Sequence, residues 1–94
     1  MLSETSEIQA NPLCTWKELG GKIIVLQTNI NPPVTHELNS TGSFIWSKLQ
    51  TRIKFIDLLE EMTNEFEVSK TEARSDLIEI LSTFEKKDLL CLKN

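Results

Sequence analysis

Two periods divide the chain. Between residues 13 and 38 apolar side chains come in short runs and alternations, and from residue 40 onward they recur every three or four positions. The segment "LCTWKELGGKIIVLQT" has the form of a β-hairpin, with Gly20-Gly21 supplying the positive φ that a tight turn requires. Pro32 and Pro33 then break the ladder, because neither can donate a backbone hydrogen bond. Val34 to Leu38 reads as a third short strand, with Val34, His36 and Leu38 on one face and Thr35 and Glu37 on the other.

Three helices follow. The first spans about Ser40 to Gln50 with Asn39 as its N-cap, and turns Ile45, Trp46 and Leu49 to the core while Phe44 falls off that stripe. The second, about Phe55 to Phe66, carries Phe55, Leu58, Leu59, Met62 and Phe66 on one face and Asp57, Glu60, Glu61 and Glu65 on the other. The third opens on the capping box Ser69-Lys70-Thr71-Glu72, with Val68 placed to staple onto Ala73. It buries Ala73, Leu77, Ile80, Leu81 and Phe84 and ends near Lys86-Lys87, where positive charge suits a helix C-terminus. "LLCLK" either adds a last short strand or packs down. Residues 1–11 show little periodicity and read as a flexible tail, leaving residues 12–94 as one domain. The expected fold is α+β and winged helix-turn-helix-like, a small three-stranded antiparallel sheet followed by three helices.

Composition narrows the function. Ninety-four residues, 39% hydrophobic and 26% charged, suit one soluble domain with a modest core. A net charge of −4 opposes a strong hold on nucleic acid or an anionic membrane, and no apolar run reaches the roughly 20 residues of a membrane span. The polar, acidic N-terminus lacks the pattern of a secretory signal, so a cytoplasmic protein is expected, with Cys14 and Cys91 reduced and mostly buried.

Catalysis finds no support. His36 is the one histidine, shares a strand face with Val34 and Leu38, and accompanies no nucleophile motif. The carboxylates of the second helix match no calcium-loop spacing, and Gly20-Gly21 is a turn rather than a phosphate loop. No catalytic residue, cofactor or metal site is therefore expected. The helix order permits DNA binding by a winged-helix regulator. The third helix, however, interleaves Lys70 and Arg74 with Glu72, Asp76 and Glu79, which oppose phosphate.

Peptide binding fits better. A short strand at a sheet edge, Val34-Thr35-His36-Glu37-Leu38, leaves backbone groups that an extended peptide can pair with. Along the third helix, Ile78 lies about 100° and Arg74 about 60° from Leu77. Arg74, Ile78 and Leu81 would then border a groove if that margin faces the strand; the other reading is that Ile78 only widens the core stripe.

"HELNSTGSFIWSKLQ" and "FIDLLEEMTNEFEVSKTEARSDLIEILSTFEKKDLL" resemble the PqqD-like proteins. The features that carry the resemblance are Leu38-Asn39, Gly42, Ile45-Trp46, Phe66-Glu67-Val68, Asp76 and Leu89-Leu90, and it covers about residues 13–92. It implies a non-catalytic winged helix-like domain that binds the leader of a ribosomally made precursor peptide. The leader would add as a strand to the third strand, against the third helix. The domain would then present the precursor to a modifying enzyme, often a radical S-adenosylmethionine enzyme. Two departures stand out: Lys54 replaces the Ser or Thr that commonly caps the second helix, and the N-terminal strands match only in outline.

Overall fold

In the computed structural model, which describes residues 3–93, the caps set the helix ends. Helix α1 covers Ser40–Lys48, and the Asn39 side chain accepts from the Gly42 N–H at 2.8 Å. A Cβ on Gly42 would lie 3.2 Å from that same Asn39 oxygen, so glycine keeps the cap uncrowded. Helix α2 covers Phe55–Phe66, and α3 covers Lys70–Lys86 with Ser69 Oγ accepting from Glu72 N–H. Helix α1 ends two residues earlier than its periodicity suggests, at Leu49 as C-cap.

The strands are β1 (Glu7–Ala10), β2 (Cys14–Leu19), β3 (Lys22–Gln27), β4 (Val34–Glu37), β5 (Ile53–Lys54) and β6 (Leu90–Lys93). They form two antiparallel three-stranded sheets, ordered β5-β1-β6 and β2-β3-β4. With the three helices this is an α+β fold, compatible with a winged-helix description. The β2–β3 hairpin turns on Gly20 and Gly21, both at positive φ.

The second sheet corrects the reading of residues 1–11 as a tail. Ile8 is fully buried, and β1 is the central strand between β5 and β6. The segment also caps α2, whose N-cap Lys54 makes no side-chain hydrogen bond. Phe55 N–H donates to the Ser6 carbonyl at 2.8 Å and Ile56 N–H to the Glu4 carbonyl at 3.1 Å. Backbone from far away in sequence thus satisfies the orphan donors that an uncapped helix start would expose. Met1 and Leu2 of the expected tail, and Asn94 at the other end, lie outside the described residues.

Trp46, Ile45, Leu49, Leu58, Leu59, Leu77 and Leu81 form the interior where the three helices meet. Cys14 is buried, as expected, and burial raises its thiol pKa; Cys91, at the edge strand β6, is exposed instead. No helix among the described residues is long and apolar enough to cross a membrane.

One polar group ties the sheet to the helices. Ser43, buried on α1, accepts from Ile23 N–H at 3.0 Å and donates to the Leu38 carbonyl at 3.3 Å. Its hydroxyl thereby sits between two backbone groups that continue the β3–β4 ladder. Ser43→Ala would leave both without that partner, so thermal or denaturant unfolding should show a loss of about 1–3 kcal/mol.

Candidate functional site

β4 is an edge strand. It pairs with β3 in the register Ile24↔Glu37, Val25↔His36, Leu26↔Thr35 and Gln27↔Val34, and no strand lies on its other side among the described residues. Leu38 N–H donates to the Ile23 carbonyl at 2.9 Å, so the backbone groups of Leu38, His36 and Val34 turn toward β3. By the same alternation, the N–H and C=O groups of Thr35 and Glu37 face the open edge. The side chains split as the sequence suggests, with Val34, His36 and Leu38 sharing the face of Val25 and Gln27, and Thr35 and Glu37 turned outward.

A cleft of about 230 Å³ runs beside the end of this strand. Leu38 and Gly42 border it on one side, and Ile80, Thr83 and Phe84 of α3 on the other. Glu37, Glu79 and Lys87 stand at its rim. The absence of a side chain at Gly42 keeps the floor open beneath the Phe84 ring, which lies 3.9 Å from the position of an added Cβ. The cleft's lining is mixed, with Leu38, Ile80 and Phe84 apolar, Asn39 and Thr83 polar, and charges of both signs beside them, next to the outward backbone groups of β4.

Of the expected strand residues Glu37 and Leu38 line this cleft, while Val34, Thr35 and His36 lie farther along β4; the α3 residues expected there, Arg74, Ile78 and Leu81, do not line it. Arg74 pairs with Glu4, and its guanidinium lies 5.6 Å from the Phe55 ring centroid. It therefore belongs to the packing of α2 and the N-terminal segment, and sits 13 residues before Lys87, about 20 Å along the helix. Ile78 is exposed on the same margin as Arg74, and Leu81 is buried in the core. Hydrophobic period gives the axis of a core stripe but not which neighbour lies past each border, and the sheet lies past the other one. Ile80, expected in the core stripe, is instead half-buried and lines the cleft with Glu79, Thr83 and Lys87, which the core pattern did not single out.

His36 joins three elements. Gln27 Nε2 donates to the Lys87 carbonyl at 2.9 Å, which orients its amide and leaves Gln27 Oε1, 3.0 Å from His36 Nε2, as an acceptor. His36 Nε2 must then carry the proton. Burial, and secondarily the charge of Lys87, lower its pKa below the ordinary value of about 6.5. The folded chain therefore takes up this proton less readily than the unfolded one. The stability tied to neutral His36 is complete above about pH 6.5 and is lost as pH falls through the lowered value. Melting curves between about pH 7.5 and 5 should show a decline that His36→Asn reduces.

A family model described as Coenzyme PQQ synthesis protein D (PqqD) matches residues 29–90. Among solved structures the chain is similar to TbiB1 in complex with the TbiA(beta) leader peptide. The TM-score is 0.78 at 20% sequence identity, covering 87% of this chain and 93% of that one. At that identity the likeness speaks for the fold. No curated protein matches the chain.

Proposed function

The chain belongs to the PqqD family, and on that footing we propose that it is a non-catalytic, cytoplasmic leader-binding protein. It takes up an extended segment of a ribosomally made precursor peptide and presents the rest to a modifying enzyme, such as a radical S-adenosylmethionine enzyme. The observation that carries the reading is the open edge of β4 with the cleft of α3 alongside it. Support comes from the similar fold of TbiB1, which was solved with a leader peptide.

The guest strand pairs with the free backbone groups of Thr35 and Glu37, and its alternate side chains enter between Leu38 and the α3 residues Ile80, Thr83 and Phe84. Each backbone bond nets only about 0.5–1.5 kcal/mol, so the pairing needs one or two apolar anchors, at about 1.5–3 kcal/mol each, to reach micromolar affinity. An acidic residue of the guest meets Lys87 and a basic one Glu79. Arg74, expected from the sequence to border the groove, pairs with Glu4 instead.

The test is a pair of titrations at low salt, one with a synthetic leader of a candidate precursor peptide and one with duplex DNA. Saturable leader binding with weak DNA binding is expected. Tight DNA binding that falls steeply with salt, and no leader binding, would favour a winged-helix regulator instead.

A further inference from the structure

The sheet that carries β4 has a second open edge. β2 pairs with β3 alone, and no strand lies on its other side among the described residues. Because Ile23 and Val25 turn their backbone groups toward β4, Lys22, Ile24 and Leu26 turn theirs toward β2, where they meet Leu19, Lys17 and Thr15. The N–H and C=O groups of Trp16 and Glu18 are left facing outward. Apolar surface collects along this edge: Leu13 is 62% exposed, Leu19 55% and Trp16 42%. A cleft of about 250 Å³ between Trp16 and Glu18 on β2 and Phe44 and Ser47 on α1 runs beside it. Neither the edge nor its exposed side chains has a part in the leader groove.

We propose that β2 pairs antiparallel with β2 of a second copy, forming a homodimer with one continuous six-stranded sheet. The occupant follows from the pattern of charge and apolar residues. A two-fold axis perpendicular to the sheet keeps like faces together, so each residue opposes one of its own parity in the second copy. An axis at Lys17 sets lysine against lysine, and an axis at Glu18 sets glutamate against glutamate, both destabilising. An axis at Thr15 avoids both but sets Leu13 against Lys17, whereas an axis at Trp16 avoids both and joins the apolar residues. It sets Trp16 against Trp16, with their outward backbone groups exchanging hydrogen bonds. It also sets Thr15 against Lys17, Cys14 against Glu18, and Leu13 against Leu19. This register covers the three exposed apolar residues of the edge and opposes no like charges. It also leaves both copies of β4 open at the far ends of the joined sheet, so dimerisation and leader binding are independent.

Sedimentation equilibrium of the full chain at low salt, from about 1 µM to about 1 mM, tests the proposal. The wild-type chain should pass reversibly from monomer to dimer. Thr15→Glu creates two symmetric Glu–Lys pairs in this register alone and should tighten the dimer roughly two- to thirtyfold, less so as salt rises. Trp16→Lys brings two lysines together at the axis and should weaken the dimer at least about tenfold. A leader peptide bound at β4 should leave the dimer constant unchanged. A wild-type chain that stays monomeric throughout, a Thr15→Glu variant that dimerises no better than wild type, or a folded Trp16→Lys variant that dimerises as well overturns the proposal. Should Trp16→Lys fail to fold, Thr15→Glu decides alone.

Discussion

Trp46→Ala is expected to destabilise the fold by about 3–5 kcal/mol, a large share of what a domain of this size has. Trp46 is fully buried, and its ring meets Phe84 edge-on with centroids 6.0 Å apart. Phe84 is also a wall of the cleft beside β4, so truncating Trp46 removes the support behind that wall as well as the core volume. The indole N–H meets no acceptor among the described residues, a cost that the folded state already bears. Trp46→Phe should therefore lose much less than Trp46→Ala, because it deletes an unpartnered donor together with part of the ring. Denaturant unfolding followed by far-ultraviolet circular dichroism separates the two variants. An alanine variant as stable as wild type would mean that α1 does not pack through this residue.

The second large effect concerns the guest strand. Thr35→Pro removes an N–H that faces the open edge, while the neighbouring bonds from His36 and Val34 to β3 remain. Leader affinity should fall at least tenfold, with a smaller change in melting temperature. Ile80→Asp should cost about ten- to a hundredfold at every salt concentration, since it places a charge where an apolar anchor of about 1.5–3 kcal/mol would sit. Arg74→Glu is the control. It opposes Glu4, should change stability by less than about 1 kcal/mol for so exposed a pair, and should leave leader affinity as it was. Isothermal titration of the three variants with the synthetic leader compares them directly. A large loss for Arg74→Glu with none for Ile80→Asp would return the groove to the margin of α3 that bears Arg74 and Ile78.

The contrast between those two margins shows what the sequence could and could not convey. The bounds of α2, the caps at Asn39 and Ser69, the turn at Gly20-Gly21 and the alternation along β4 are local, set by residues within a turn of one another, and each is readable in the chain. The second sheet is not local. Glu7–Ala10 alternates polar and apolar residues over four positions only, and its partners Ile53–Lys54 and Leu90–Lys93 lie more than 40 residues away, so the pattern is too short to announce a strand by itself. The same holds for the capping of α2 by the Glu4 and Ser6 carbonyls, and for Ser43, whose hydroxyl reads as an ordinary helix serine until β3 and β4 are placed against it. At the cleft, the strand side of the site was legible because an edge needs only its own sequence. The helix side was not, because choosing between Arg74-Ile78 and Ile80-Thr83 requires knowing where the sheet packs.

The abrupt passage from β4 into α1 acquires its role from this arrangement. Asn39 closes the first turn of α1, Ser43 bridges β3 and β4, and Leu38, Ile45 and Trp46 bury the corner. With no slack between strand and helix, β4 is held on one side only, and Gly42 leaves room beneath it. Rigid support of an edge in this way lowers the ordering cost of adding a strand.

Amide chemical-shift mapping of the labelled chain with the synthetic leader tests the central claim most directly. Residues 34–38 and 79–87 should shift together and saturate with one leader per chain, while the acidic face of α2 and the β2 edge stay silent. Shifts confined to α2, with residues 34–38 unmoved, would contradict strand addition at β4.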